Sequence, residues 1–393
     1  MPRILLLTYE FSPFRGGIGR VAEGLAEGAA ALGHEPVVFA PDYHGEQAVE
    51  DRKRCYRVVR FPGDFCGIVS FRRLVRFVTL CRRAISSVRP DVIHGVDPPA
   101  HMALTALSRL HVVSRYLLTI HGTELLRYRS EAMPRLWMAT GLRRAGAVCA
   151  VSHAVRERLH RDFRVPRDRT FVSHPGIAEA WHRSPPGDPN AVRASWGANP
   201  PDFVVLTVAR RVFEKGQDRI VEALARLPDA ERGRMLYVVA GTGPEAYARE
   251  LLARAAAGGV RLLLLGQLPD AELVRACDAA DLFAMLSRET PKRLEGLGLT
   301  YLEAGARGLP SLACDIGGVS EAVRDGETGI VLEAGAGPEV VARALKRLSR
   351  DGPLARRLGR AAREHARAFT LVRHASEVYG RFEEIGRRGA GDP

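Results

Sequence analysis

A short apolar run, a glycine-bearing turn and an amphipathic helical stretch follow one another repeatedly along this chain, and no other feature constrains its fold as strongly. Strands buried on both faces read as unbroken apolar runs, and a helix that returns the chain to the same sheet edge makes the sheet parallel. The series opens with a strand at Arg3–Thr8 (RILLLT), a helix over Gly17–Leu32 closed by Gly33, and a strand at Pro36–Ala40. Further strands are predicted at Tyr56–Phe61, Asp91–Gly95, Tyr116–Ile120, Ala147–Val151 and Thr170–Ser173. The pattern breaks at Arg183–Asp202 (RSPPGDPNAVRASWGANPPD), which is rich in Pro and Gly and has little periodicity. A second series places strands at Phe203–Ala209, Met235–Ala240, Val260–Leu265, Leu282–Leu286 and Leu309–Ala313. At 393 residues the chain is too long for one core. The expected fold is α/β, with two Rossmann-like parallel-sheet domains facing a cleft. Their expected bounds are residues 1–185 and 203–370, joined by a linker at 186–202. Residues 371–393 form a tail whose helix, Leu371–Ile385, is placed to cross back to the first domain.

Ligands of such sheets bind beyond the carboxyl ends of the strands, in the loops that lead into helices. The most informative of these loops lies in Ser287–Gly318 (SRETPKRLEGLGLTYLEAGARGLPSLACDIGG). It reads as a strand exit, a glycine-relieved loop and a helix beginning near Gly298, whose unpaired N–H groups and partial positive charge suit an anion. Glu295 lies just before that helix and Glu303 within its second turn, so one carboxylate suits the hydroxyls of a ribose and the other those of a sugar. An ordinary buried βαβ crossover with Glu303 on its wet edge is the alternative. After the first strand, Pro13-Phe14-Arg15-Gly16-Gly17 runs into a helix. Paired glycines let a ligand approach the backbone, although a tight βα turn has the same composition and the G-x-G-x-x-G fingerprint is not spelled. His121, at the carboxyl end of a strand, is able to donate a hydrogen bond to a substrate hydroxyl or exchange a proton near neutral pH, or else is structural. In Ala209–Gly216 (ARRVFEKG), Arg210 and Lys215 offer a fork and a point charge to a diphosphate leaving group. A solvated charge run with Glu214 as intrahelical partner is the competing reading.

Charge narrows the partners. Lys and Arg exceed Asp and Glu by 13 over the chain, and the excess is uneven: 28 against 18 through Asn190, 30 against 27 thereafter. A basic first half favours a nucleotide or a lipid head group over nucleic acid, because no basic run is interleaved with stacking aromatics. Six scattered cysteines, without C-x-x-C or zinc spacing to histidine, read as small core residues of a reduced compartment. No run of about 18 uncharged apolar residues occurs, and a cytoplasmic protein, or one peripheral on the inner face of a membrane, is expected. Metal ligation has little support, since no D-x-D occurs in the sequence.

Together these residues resemble the retaining, nucleotide-sugar-dependent glycosyltransferases of family four, which have the GT-B fold. The likeness covers nearly the whole chain: Gly16-Gly17, His121-Gly122, Arg210 with Lys215-Gly216, Gly241-Thr242-Gly243-Pro244 and, most specifically, EGLGLTYLEAGARGLP, where Glu295 and Glu303 match the family's Glu-x7-Glu motif. The resemblance implies transfer of a hexosyl group, with retention, from a UDP- or GDP-linked sugar to a hydroxyl acceptor, with lipid-linked and envelope glycans among the candidates. With no D-x-D and no histidines at ligand spacing, catalysis without a metal or other cofactor is expected. Carried over residue by residue, Glu295 contacts the donor sugar and Glu303 the ribose hydroxyls. Gly296, Leu297, Gly298 and Leu299 meet the diphosphate and sugar, and Arg210 and Lys215 hold the diphosphate. Gly16 and Gly17 close on donor or acceptor, His121 sits beside the sugar, and Gly266, Gln267 and Leu268 face the base. Two departures stand out: a charged segment, Arg288–Arg293, that bears on acceptor or sugar choice, and Leu297 where relatives usually carry Phe.

Two rivals share the architecture: a GT-B epimerase or phosphorylase, and a module that binds nucleotide sugar without turnover. A separate expectation concerns Phe71–Arg89. At 100° per residue Phe71, Leu74, Val75, Val78, Cys81, Ile85 and Val88 share one face, and Arg72, Arg73, Arg76 and Arg83 the other. That face either packs the sheet beneath a wet basic side, or does so while the arginines rest on an anionic membrane.

Overall fold

A computed structural model describes residues 1–13, 16–43, 47–63, 71–129, 132–183, 187–291 and 293–390. Phe14 and Arg15 of the first glycine loop, Cys66, residues 184–186 at the expected domain boundary, Lys292 and the last three residues of the tail lie outside them.

Among the described residues, thirteen strands form two sheets, and every strand pairing within them is parallel. The first holds β1 (Arg3–Leu7), β2 (Glu35–Asp42), β3 (Arg57–Pro62), β4 (Val92–Gly95), β5 (Leu117–Ile120), β6 (Ala147–Ala150) and β7 (Thr170–Val172), in the order β3-β2-β1-β4-β5-β6-β7. The second holds β8 (Phe203–Val208), β9 (Met235–Ala240), β10 (Arg261–Gly266), β11 (Leu282–Met285), β12 (Ser311–Cys314) and β13 (Gly329–Leu332), in the order β10-β9-β8-β11-β12-β13. Both are doubly wound: the chain starts in the middle, builds outward on one side, then returns to build on the other. Such a sheet opens a crevice where its order reverses, here between β1 and β4 and between β8 and β11. Four consecutive apolar residues of β1, Ile4 to Leu7, are wholly buried, as a strand covered on both faces requires.

The expected strands are present to within a residue or two at their ends, and β13 is an addition. Its four residues, GIVL, form a short edge strand beside β12 that is too brief to stand out from the apolar stretches around it.

The chain divides into one unit of Met1–Gly176 with Phe369–Pro393 and another of Ile177–Ala368. The boundary is therefore earlier than the Pro/Gly-rich segment expected to be a linker. That segment contains a helix, Pro189–Ser195, started by Asp188, whose side chain accepts from Asn190 N–H. Arg193 of this helix bonds Asp281 at 3.0 Å and so ties it into the second unit. The prolines and glycines there belong to the turns on either side of it.

The last helix, Leu371–Ala390, belongs to the first unit, as its expected return implied. It lies so close to the Gly17–Ala31 helix that a Cβ at Gly28 would stand 2.2 Å from the Leu371 carbonyl oxygen, so glycine is needed there for backbone approach. Buried polar contacts fix it further: His374 Nδ1 to Ser173 Oγ at 2.8 Å, and Tyr379 Oη to His94 Nδ1 at 3.3 Å.

The cysteine expectation needs one correction. Cys81, Cys149, Cys277 and Cys314 are buried, but Cys55 is exposed in the turn before β3.

Candidate functional site

The reversal of strand order in the second unit brings together the two loops that the sequence singled out. One leaves β8 and carries Arg210 to Lys215; the other leaves β11 and carries Ser287 to Glu295. At their meeting point Lys215 Nζ lies 2.6 Å from Glu295 Oε2, and Ser287 Oγ donates to the same oxygen at 3.1 Å. Both charged side chains are mostly buried, with 21% and 14% of their surface exposed, so the attraction is screened less than in a surface pair. Arg210 is exposed on the same loop. Gly216, at φ +69°, makes the close packing possible, since a Cβ there would stand 2.0 Å from the Leu286 carbonyl oxygen. Glu295 is held from behind as well: its carbonyl accepts from Gly318 N–H at 3.1 Å.

The helix expected near Gly298 runs over Leu299–Ala306, with Gly298 at φ +85° as its N-cap. No side chain caps this helix start; Tyr301 N–H donates to the Gly298 carbonyl at 3.0 Å, and the Leu299 and Thr300 N–H groups precede it at the end that suits an anion. Glu303 is buried in its second turn. Leu297 is buried, with 3% exposure, so its side chain does not itself line an open pocket. Gly296 is half-buried between Glu295 and Leu297. At the end of β10, Gly266 (φ +69°) accepts from Gly241 N–H at 2.6 Å, Gln267 is exposed and Leu268 is half-buried.

In the first unit the reversal lies between β1 and β4. Gly16 caps the Gly17–Ala31 helix, and a Cβ at Gly17 would meet nothing within 4 Å, so the packing around Gly17 does not demand glycine. His121 follows β5. Its Nε2 is 2.9 Å from the Val96 carbonyl oxygen, which can only accept, so the proton sits on Nε2 and Nδ1 is left as an acceptor. Desolvation lowers its pKa to about 4, against a smaller opposing effect of the Val96 bond. The sequence-based expectation of a ring that exchanges protons near neutrality is therefore corrected: His121 is neutral there, and its N–H is already in use.

Similarity to known proteins extends over most of the chain. A family model described as Glycosyl transferases group 1 matches residues 189–365, and one described as Glycosyltransferase Family 4 matches residues 15–181. A GDP-mannose-dependent alpha-(1-6)-phosphatidylinositol monomannoside mannosyltransferase of Mycobacterium tuberculosis is 30% identical over 380 residues, 93% of each chain. This chain belongs to the glycosyl transferases group 1 family. It is a nucleotide-sugar-dependent glycosyltransferase. A D-inositol 3-phosphate glycosyltransferase of Nocardia farcinica is 38% identical over 219 residues, 54% of this chain and 46% of that one. Among solved structures, Anabaena Alr3699/HepE in complex with UDP and glucose matches with a TM-score of 0.81 at 20% identity, covering 98% of this chain and 100% of that one. Sucrose-phosphate synthase from Thermosynechococcus elongatus matches with a TM-score of 0.83 at 21% identity, covering 99% and 100%. At those identities the likeness is one of fold, and the fold is GT-B.

Beside the candidate loops the glycosyltransferase buries two carboxylates that the sequence did not single out. Asp97, wholly buried, accepts from Thr8 Oγ1 and Glu10 N–H at 3.0 Å each and from Tyr9 N–H, and caps the Pro98–Arg109 helix through Ala100 N–H. It thereby fastens the loop after β1 to the end of β4. The Asp-Pro-Pro at 97–99, a cap residue followed by proline at the first helical position, is a local signal for its capping role. Its contacts with Thr8, Tyr9 and Glu10 are made across 87 or more residues and have no local signal. Glu124, 3% exposed, accepts from His121 N–H, and burial raises its pKa to about 7.

The Phe71–Val88 helix keeps its expected inward face only in part: Cys81 and Val88 are buried and Leu74, Val78 and Ile85 half-buried. Its buried stripe is Phe77, Cys81, Ala84 and Val88. Phe77 inserts between Tyr9 and Phe61, with ring centroids at 5.3 and 5.2 Å, and that aromatic contact rotates the helix partly away from the face its overall apolar pattern indicates. Phe71 and Val75 are left 79% and 48% exposed, alongside exposed Arg72, Arg73, Arg76, Arg82 and Arg83.

Proposed function

We propose that this glycosyltransferase moves a hexosyl group, with retention and without a metal ion, from a GDP- or UDP-linked sugar to a hydroxyl of a lipid-linked acceptor at an anionic membrane surface. The observation that carries the donor half is the Lys215–Glu295 pair at 2.6 Å, beside the uncapped start of the Leu299–Ala306 helix. It brings a cation, a carboxylate and a helix start without a side-chain cap to one place, which suits a diphosphate joined to a polyhydroxylated ring.

In this reading Lys215 and Arg210 take the diphosphate, with the backbone of residues 296–299. Glu295 turns to the sugar hydroxyls, Glu303 to the ribose, and residues 266–268 to the base. Gly16 and Gly17 close on donor or acceptor, and the His121 Nδ1 lone pair accepts from a sugar hydroxyl. The bond from the anomeric carbon to the phosphate oxygen breaks as the acceptor oxygen bonds to the same face of that carbon. The acceptor's proton passes to the departing phosphate oxygen. Products are the glycoside and the nucleoside diphosphate. The protein's contribution is charge stabilisation on the leaving group, worth about 2.7–4 kcal/mol for one well-placed donor. The cations and the helix start do the work that a metal ion does elsewhere, consistent with a sequence that lacks D-x-D.

The acceptor half rests on the Phe71–Val88 helix. No acidic residue occurs in it, five exposed arginines do, and an exposed Phe and Val stand among them. Each cation near an anionic bilayer contributes roughly 1 kcal/mol, and the binding weakens as salt screens it. No helix among the described residues is long and apolar enough to cross a membrane, so attachment of this kind is reversible. Phosphatidylinositol mannosides are the first acceptors to try and GDP-mannose the first donor, because those are named for the 30%-identical mycobacterial relative.

The test is transfer of labelled sugar from a panel of GDP-, UDP- and ADP-sugars to vesicles with and without phosphatidylinositol glycolipids, together with flotation. The enzyme should float with anionic vesicles at low salt and leave them at high salt. Replacing Phe71, Arg72, Arg76 and Arg83 should abolish flotation while sparing donor hydrolysis. Failure to float at low ionic strength would point to a soluble acceptor.

A further inference from the structure

Arg288, in the charged segment Arg288–Arg293, joins the loop after β11 to the loop after β8. Its Nη1 and Nη2 donate to Asp218 Oδ1 and Oδ2, each at 2.7 Å, a two-point fork that fixes direction as well as distance. The guanidinium also lies over the Phe213 ring, 4.2 Å from its centroid, and Nη1 donates to the Phe213 carbonyl at 2.9 Å. The backbone repeats the link, with Arg288 N–H donating to the Glu214 carbonyl at 2.8 Å, and Arg293 pairs with the Glu214 side chain at 3.1 Å. Asp218 is held in turn by Tyr247 Oη at 3.0 Å, and its side chain is 5% exposed. Phe213 and Glu214 flank Lys215 on one loop, Asp218 opens the Gln217–Ala225 helix that follows it, and Arg288 and Arg293 precede Glu295 on the other loop; Tyr247 braces the set from the Glu245–Ala257 helix.

We infer that the Arg288–Asp218 fork is a positioning clamp: it makes the loop of Lys215 and the loop of Glu295 move as one body, so that the diphosphate and the sugar are gripped at a fixed spacing. The inference rests on the donor reading given above and adds residues to it that need not touch substrate. A point charge would not serve equally, because lysine cannot make both bonds and stack on Phe213 at the same time. Misplacing a catalytic group by about 1 Å costs on the order of a hundredfold in rate, so loosening the clamp should appear in turnover. Affinity for free nucleoside diphosphate, which Lys215 can still reach through its flexible stem, should change little.

The experiment compares the wild type with Arg288→Lys, Arg288→Gln, Asp218→Asn and the double variant Arg288→Gln/Asp218→Asn. Calorimetric titration with GDP and UDP counts folded sites and gives Kd; transfer rates are then expressed per nucleotide-binding site. Arg288→Gln and Asp218→Asn should each lower kcat per site by about 10- to 100-fold, with Kd for nucleoside diphosphate altered less than about threefold. Arg288→Lys should fall between these and the wild type. The double variant should be no worse than either single one, since a fork is lost once. An unchanged kcat per site overturns the inference, and so do losses that multiply in the double variant. A fall in nucleotide affinity as large as the fall in kcat also overturns it, because Arg288 would then be touching the donor. Should Asp218→Asn not fold, the Arg288 pair alone decides. Lys215→Met serves as the control for the donor reading: if it too keeps its activity, that reading has failed, whereas loss of activity in Lys215→Met alone refutes the clamp.

Discussion

Replacing Lys215 by Met removes the ammonium 2.6 Å from Glu295 and leaves a carboxylate, 14% exposed, with the Ser287 hydroxyl as its remaining bond at that oxygen. Breaking a fully buried pair by removing one partner costs about 3–5 kcal/mol. Here a fifth of the lysine surface is open to water, so solvent recovers part of that, and about 1–2 kcal/mol of lost stability is expected. In a domain of this size that is roughly 2–8 °C in thermal midpoint. Activity should fall much further, by about a hundred- to a thousandfold in kcat/KM, because the ammonium's partner during turnover is the departing diphosphate. The second change, Glu295→Gln, separates the two effects. Added to Lys215→Met it removes the orphaned charge, so stability should return to within about 1 kcal/mol of the wild type. Transfer activity should stay lost. Differential scanning fluorimetry and initial-rate measurements on the four proteins complete the cycle. A Lys215→Met enzyme that keeps more than about a tenth of its kcat/KM would refute the donor reading. A double variant less stable than Lys215→Met would refute the electrostatic one.

Three other outcomes are expected. Glu303→Ala should weaken nucleotide sugar and free nucleoside diphosphate alike, whereas Glu295→Gln should spare the free nucleotide and damage transfer; equal losses in a calorimetric titration would merge the two roles. EDTA should leave transfer largely intact, and a complete loss restored by Mg²⁺ or Mn²⁺ would reveal a metal site. The first unit should lose stability on acidification, because desolvation lowers the pKa of His101 and His374 to about 3 and of His121 to about 4, and lowers that of His94 as well. The unfolded chain then binds more protons than the native one below about pH 6.5, so stability present above that pH is lost as pH falls, by roughly 1.4 kcal/mol per histidine at pH 5.5. Glu124, raised to about 7, works the other way, since protonation favours its buried form, and so does buried Asp97. A net loss of about 2–4 kcal/mol between pH 7.5 and 5.5 should appear in urea denaturation, and equal midpoints at the two pH values would contradict it.

Local sequence carried a large share of the fold. Apolar runs such as RILLL and MLYVVA are long enough, and sufficiently free of polar residues, to be strands covered on both faces. Gly298 and Gly216 mark positive-φ turns where helices begin, and both are visible from composition alone. Glu295, Glu303, Arg210 and Lys215 could be named as candidates because each lies within six residues of such a signal. What local pattern missed was any outcome set by partners distant in the chain. The Pro/Gly-rich segment before β8 looked like a linker, yet Arg193 reaches Asp281, 88 residues on, and draws it into the second unit. Periodicity placed the buried face of the Phe71–Val88 helix only in part: Cys81 and Val88 are buried and Leu74, Val78 and Ile85 half-buried, but Phe71 and Val75 are exposed while Phe77 packs on Tyr9 and Phe61. The sequence marked His121 as a candidate at a strand end but could not show that its ring is neutral, since its proton is committed to the Val96 carbonyl 25 positions earlier. The Arg288–Asp218 fork and the four bonds to Asp97 likewise depend on which strand ends a doubly wound sheet brings side by side. Backbone preferences and apolar spacing are properties of neighbours in sequence, so they can be read directly. Charge pairing, desolvation and the choice of a buried face arise only when strands far apart in the chain come to lie next to one another.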